Sequence, residues 1–140
     1  MMELPASLSL LTELASVSSS FIKQADRKLS AHGISFAEFM VMHHLNKAVD
    51  FTMSRTELAD AVSLSASGIT KKLNPMQRLH LVEKEINQRD ARFSLVKLTA
   101  TGVEIYNDAL VTCIHCANDL TENVTAKQLN TLLEIFAKLK

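Results

Sequence analysis

The side chains in this sequence that could do chemistry are hydroxyls, amides and cations set at helical spacing. Ser67, Thr70, Lys71 and Asn74 stand at i, i+3, i+4 and i+7, opposite the apolar residues Ile69, Leu73 and Met76. That period puts the four polar residues on one face of a helix. Lys72 lies beside them, and Ser65 stands where a cap would open the helix. Small polar groups let a helix seat deeply in a major groove, where Thr and Asn bond base edges and Lys reaches guanine or phosphate. Read in isolation, such a face is more simply a solvated one. Arg89, Asp90 and Arg92 cluster between two alternating segments. Basic residues at a hairpin tip reach phosphates or a narrow minor groove. Ser54 and Arg55 open a further short helix, and a helix N-terminus with a hydroxyl is a natural phosphate anchor. Ser54 serves equally as a plain cap.

Enzyme chemistry finds no counterpart. The sequence has no Gly-rich phosphate loop, nucleophile elbow or paired-carboxylate arrangement, so neither an enzyme nor a cofactor is expected. Cys113 and Cys116 lie one helical turn apart with only His115 nearby. Zinc needs about four ligands, so no metal is expected and packing is the plain role of both thiols.

Composition sets the frame for these groups. The 140 residues are 47% apolar and 21% charged, with three glycines and two prolines. That is the profile of one globular domain built from long helices. Net charge is zero, yet residues 65–97 hold seven cations against Glu83, Glu85 and Asp90. A basic segment on a neutral protein is an electrostatic footprint for phosphates, though a weak sign by itself. No basic leader precedes an apolar run, and no run reaches the ~18 apolar residues of a membrane span. Two cysteines make no disulfide framework. A cytoplasmic protein with no membrane partner is expected.

Helical periodicity and caps place the elements. An amphipathic segment runs through Leu8, Leu11, Ala15, Phe21, Ile22, Ala25 and Leu29 and stops at Gly33. Ser35 and Glu38 have capping-box spacing, and Ile34 with Phe39 forms a hydrophobic staple. Ser54 with Glu57, and Thr125 with Gln128, repeat the box. Two short helices bury Leu58, Ala59 and Val62, then Ile69, Leu73 and Met76, as a helix-turn-helix does. Alternation over Val82–Ile86 and Phe93–Leu98 predicts a hairpin with a long polar tip. After Thr99, the positions Val103, Tyr106, Leu110, Cys113, Ala117 and Leu120 step by three and four. Such a heptad-like seam is expected to meet another helix. A final helix turns Leu129, Leu132, Leu133, Phe136 and Leu139 inward.

From Gly33 to Gly102 this order resembles the MarR family of winged helix-turn-helix regulators. The resemblance rests on Leu58-Ala59, Ser67-Gly68-Ile69-Thr70-Lys71-Lys72-Leu73, Leu81-Val82-Glu83, Arg89-Asp90-Ala91-Arg92 and Leu98-Thr99-Ala100-Thr101-Gly102. It implies a mainly α fold, a winged helix-turn-helix with a small β-hairpin wing. In one domain, 1–140, residues 33–99 would bind DNA while 1–32 and 100–140 form dimerisation helices. Double-stranded DNA and a second copy are the implied partners, with a small aromatic effector near Met40, His43 and His44. Met and His there simply packing or capping is at least as good a reading. Asp90 would pair with Arg92 and brace the wing, leaving Arg89 to enter the groove. The implied function is a ligand-responsive repressor on a pseudo-palindromic operator. The alternatives are a regulator sensing oxidants through Cys113 or Cys116, and a winged-helix module that binds protein. Two departures stand out. His80 occupies a turn where the family commonly has glycine, and Pro75 falls inside the recognition helix, where a kink is expected.

Overall fold

The structure, a computed structural model, describes residues 2–90 and 94–140. Helix α1 (Ala6–Leu29) leads through a 3-10 turn, Ser30–His32, to Gly33, whose φ of 74° ends it. Helix α2 (Phe36–Lys47) starts at the expected capping box. The Ser35 hydroxyl accepts from the Glu38 N–H at 3.1 Å, and the Glu38 carboxylate accepts from the Ser35 N–H at 2.9 Å. Ile34 and Phe39 are both buried beside it. Helices α3 (Arg55–Ala61) and α4 (Ala66–Arg78) form the helix-turn-helix. Strands β2 (Val82–Ile86) and β3 (Ser94–Leu98) form the wing, and α5 (Ala100–Leu120) and α6 (Ala126–Leu139) follow.

A third strand, β1 (Thr52–Ser54), lies outside the expectation of a lone hairpin. It pairs antiparallel with β3, giving the order β1-β3-β2. β2 and β3 run antiparallel with Val82 opposite Leu98. Ser54 therefore ends a strand and caps α3 at once. Its hydroxyl accepts from the Glu57 N–H and donates to the Glu57 carboxylate, both at 3.1 Å. That carboxylate arm replaces the reciprocal arm of the expected capping box.

One core joins the elements. Leu29, Met42, Leu45, Leu58, Ile69, Leu73, Met76, Val96 and Leu98 are all but sealed from solvent. Val96 and Leu98 are the inward positions of β3, as alternation requires. The seam on α5 divides. Tyr106 is buried, and Val103, Leu110 and Cys113 pack against the core of their own chain. The first half of the seam thus meets α1 and α2 of its own chain. The final helix differs from expectation. Leu129 and Phe136 are half-covered, while Leu132, Leu133 and Leu139 are exposed instead of facing inward. Of the 24 residues of α1, only Ala25 and Leu29 are buried. Among the described residues, no helix is long and apolar enough to cross a membrane.

Candidate nucleic-acid interface

Helix α4 sits with Ile69, Leu73 and Met76 in the core, which fixes the opposite flank outward. The turn before it passes through Ser63 at φ 56°. Helix α4 opens where the Ser65 hydroxyl accepts from the Gly68 N–H at 3.0 Å. Pro75 lies inside the helix, yet helical backbone persists from Ala66 to Arg78. The turn after it has His80 at φ 60°, a left-handed conformation that glycine adopts more readily than histidine.

On the outward flank, Ser67, Lys71 and Asn74 are exposed, and Lys72 is half-buried. The Ser65 and Ser67 hydroxyls lie 3.3 Å apart. Thr70 is less free than its spacing implies. Its hydroxyl donates to the Ala66 carbonyl at 3.0 Å and accepts from Arg55 Nη1 at 3.0 Å. Arg55 is half-buried, and its Nε is buried with no hydrogen-bond partner among the described residues. The bond from Arg55 spans fifteen residues of sequence and left no periodic signal to find.

At the wing tip, the Asn87 side-chain oxygen accepts from the N–H of Arg89 at 2.9 Å and of Asp90 at 3.4 Å. That closes the first half of the loop and leaves Arg89 exposed. Arg92 lies outside the described residues, and so does the bracing role of Asp90 towards it. At the base of the wing, Lys97 and Glu85 pair at 3.9 Å, a surface pair of little energetic weight.

The proposed effector region is filled by an aromatic stack. Phe39 lies between Phe36 and Tyr106, with ring centres 6.0 and 5.3 Å away. His43 Nδ1 is 2.7 Å from the Tyr106 hydroxyl. Met40 is half-buried against the core, and His44 packs edge-on to His43. Burial, then Lys47 and then His44, hold His43 below the usual imidazole range; burial and Lys47 do the same to His44. Burial, with Cys113 nearby, raises the Tyr106 hydroxyl. Sequence reasoning named Tyr106 only as a seam residue; its contact with His43 spans 63 positions.

A separate cavity of about 450 Å³ opens among α1, α5 and α6, lined by Phe21, Ile22, Cys113, Cys116, Leu132 and Phe136 among others. Burial, with Cys116 beside it, pushes the Cys113 thiol up to about 11. Among the described residues no cluster of His, Cys, Asp and Glu is placed to hold a metal.

An exposed recognition helix beside a β-wing defines a winged helix-turn-helix. The MarR family model matches residues 32–92. No curated protein matches the chain by sequence. Among solved structures, a cysteine-to-serine variant of Escherichia coli MarR complexed with operator DNA is 25% identical, with TM-score 0.86 over 96% of this chain and 95% of that one. Apo MarR from the same organism is 25% identical, with TM-score 0.78 over 99% and 98%. Sco3205, a MarR family regulator from Streptomyces coelicolor in complex with DNA, is 18% identical, with TM-score 0.87 over 99% and 89%. The chain is thus similar to the MarR family of transcriptional regulators over residues 32–92 and shares its fold along nearly its whole length.

Proposed function

We propose that two copies of this chain bind a pseudo-palindromic operator and act as a ligand-responsive repressor in the cytoplasm. The observation that carries the reading is the exposed polar flank of α4 above a buried Ile69–Leu73–Met76 face. Ser67, Lys71 and Asn74 read base edges from that flank. Arg89 and Lys72 neutralise phosphates, a role also expected of Arg92, and the N-termini at Ser54 and Ser65 face the backbone. The MarR and Sco3205 relatives complexed with DNA support the same use of the fold.

Pairing of two chains rests on apolar surface. Leu10, Leu11, Leu14, Val17, Phe21 and Ile22 of α1 are 38–65% exposed, and Leu132, Leu133, Ile135 and Leu139 of α6 are 43–62% exposed. Monomeric proteins rarely leave contiguous apolar patches beyond a few hundred Å² in water. A two-fold dimer covering them places the two α4 helices on successive major-groove faces, roughly 34 Å apart.

An aromatic acid acting at Met40, His43 and His44 would do so at the contact of α2 with α5. The redox alternative has less support: a thiol pushed to about 11 is protonated at neutral pH, and the thiolate is the reactive form. Selection of fragments of the host genome by purified protein tests the whole reading. Enrichment of one motif with two-fold related half-sites about a helical turn apart is expected. Uniform recovery of all fragments would contradict it.

A further inference from the structure

We infer that Arg55 is a positioning residue for base recognition: it fixes the Thr70 hydroxyl as an acceptor facing the duplex and does not anchor phosphate. This rests on the reading that α4 enters a major groove. Arg55 is the first residue of α3, a place from which an arginine could reach a DNA backbone. Its guanidinium instead turns towards α4. Nη1 donates to Thr70 Oγ1 at 3.0 Å, and Nε is buried with no partner among the described residues. An arginine serving phosphates keeps its donors at the surface, because buried N–H groups of a cation need partners.

The consequence falls on Thr70. A hydroxyl has one proton and two lone pairs. The proton is spent on the Ala66 carbonyl at 3.0 Å, and one lone pair on Arg55. What is left is a single lone pair on a half-buried oxygen flanked by Ser67, Lys71 and Asn74. That oxygen accepts from an adenine or cytosine amino group and cannot donate to guanine O6 or thymine O4. Without Arg55 only the Ala66 bond orients the hydroxyl, its second lone pair is left open, and this discrimination weakens. A lysine does not substitute, since a flexible ammonium lacks the planar fork that reaches across from α3.

The test uses a duplex that the wild-type protein selects from a random library, a random duplex, and the variants Arg55→Gln, Arg55→Lys, Thr70→Ala, Thr70→Ser and Arg55→Gln/Thr70→Ala. Arg55→Gln and Thr70→Ala should each lower the preference for the selected duplex about tenfold, the size of one base contact. The double variant should lose no more than either single. Thr70→Ser should retain the preference and Arg55→Lys should not, with salt slopes unchanged throughout. If Arg55→Gln weakens both duplexes equally and flattens the slope by about one, Arg55 is a phosphate contact and the inference is overturned. If the wild type selects no duplex, the DNA-binding reading fails on its own. Equilibrium unfolding of the same four-member cycle without DNA then decides: non-additive effects support the Arg55–Thr70 linkage, and additive ones overturn it.

Discussion

The Thr99 hydroxyl donates to the His80 carbonyl at 2.6 Å. It thereby ties the turn that ends the recognition helix to the cap that begins α5. The same oxygen accepts from the Gly102 N–H at 2.9 Å, and the Thr99 N–H donates to the Leu81 carbonyl at 3.0 Å. The end of α4, the start of the wing and the start of α5 therefore meet at one knot of backbone.

Gly102 shows how tight that knot is. A methyl group there would run into the Leu81 carbonyl oxygen and come within 2.6 Å of Leu98 Cδ1. Backbone cannot yield as a side-chain end does. Gly102→Ala should destabilise the protein by about 1–3 kcal/mol or more in denaturant unfolding. Thr99→Ala should lose about 1 kcal/mol through its cap. An unchanged midpoint for Gly102→Ala would contradict the packing described.

Arg89 and Asn74 should fail differently. Arg89→Ala should weaken binding to every duplex and reduce the slope of log K against log salt by about one. Asn74→Ala should relax preference at particular base pairs, costing about 1–3 kcal/mol on the operator and little on random DNA. Competition assays at several salt concentrations separate the two. Equal losses on both duplexes for Asn74→Ala would count against base readout.

His43 makes stability depend on pH. Burial, Lys47 and His44 hold its folded-state pKa below the ordinary imidazole value of about 6.5. The neutral ring is thus favoured by the fold, and its contribution is present above pH 6.5 and lost as pH falls through the lowered value. The urea midpoint should be lower at pH 5.5 than at pH 7.5, and His43→Gln should narrow that gap. A midpoint equal at both pH values in the wild type would show that the ring is not held neutral.

Leu133 is 62% exposed in the single chain, so its role is proposed to lie between chains. Leu133→Glu should leave the circular dichroism spectrum intact and shift the protein towards monomer in sedimentation. Intrinsic stability of the monomer should move by no more than about 0.5 kcal/mol, as for ordinary surface changes. A dimer as tight as the wild type would place the interface elsewhere.

What the sequence made legible was local. The caps at Ser35, Ser65, Thr99 and Thr125 all form, because a cap is decided by residues three apart. Helical period gave the inward face of α4, and alternation gave that of β3. The rest depends on partners distant in the chain. β1 is three residues long and exists only because β3 is beside it. Asp50, Phe51 and Ser63 adopt positive φ without glycine, so the turns at 49–51 and 62–64 carried no glycine mark. Arg55 read as a surface cation until its partner Thr70 was in place. The α5 seam could not announce how much of it the chain itself would cover.

Sedimentation of the purified protein with a selected, labelled duplex over a salt series tests the central claim most directly. Two chains per duplex are expected, with affinity falling steeply and linearly in log salt, as release of counterions from several phosphates requires. A stable monomer with no affinity for any duplex in dilute buffer would contradict the account.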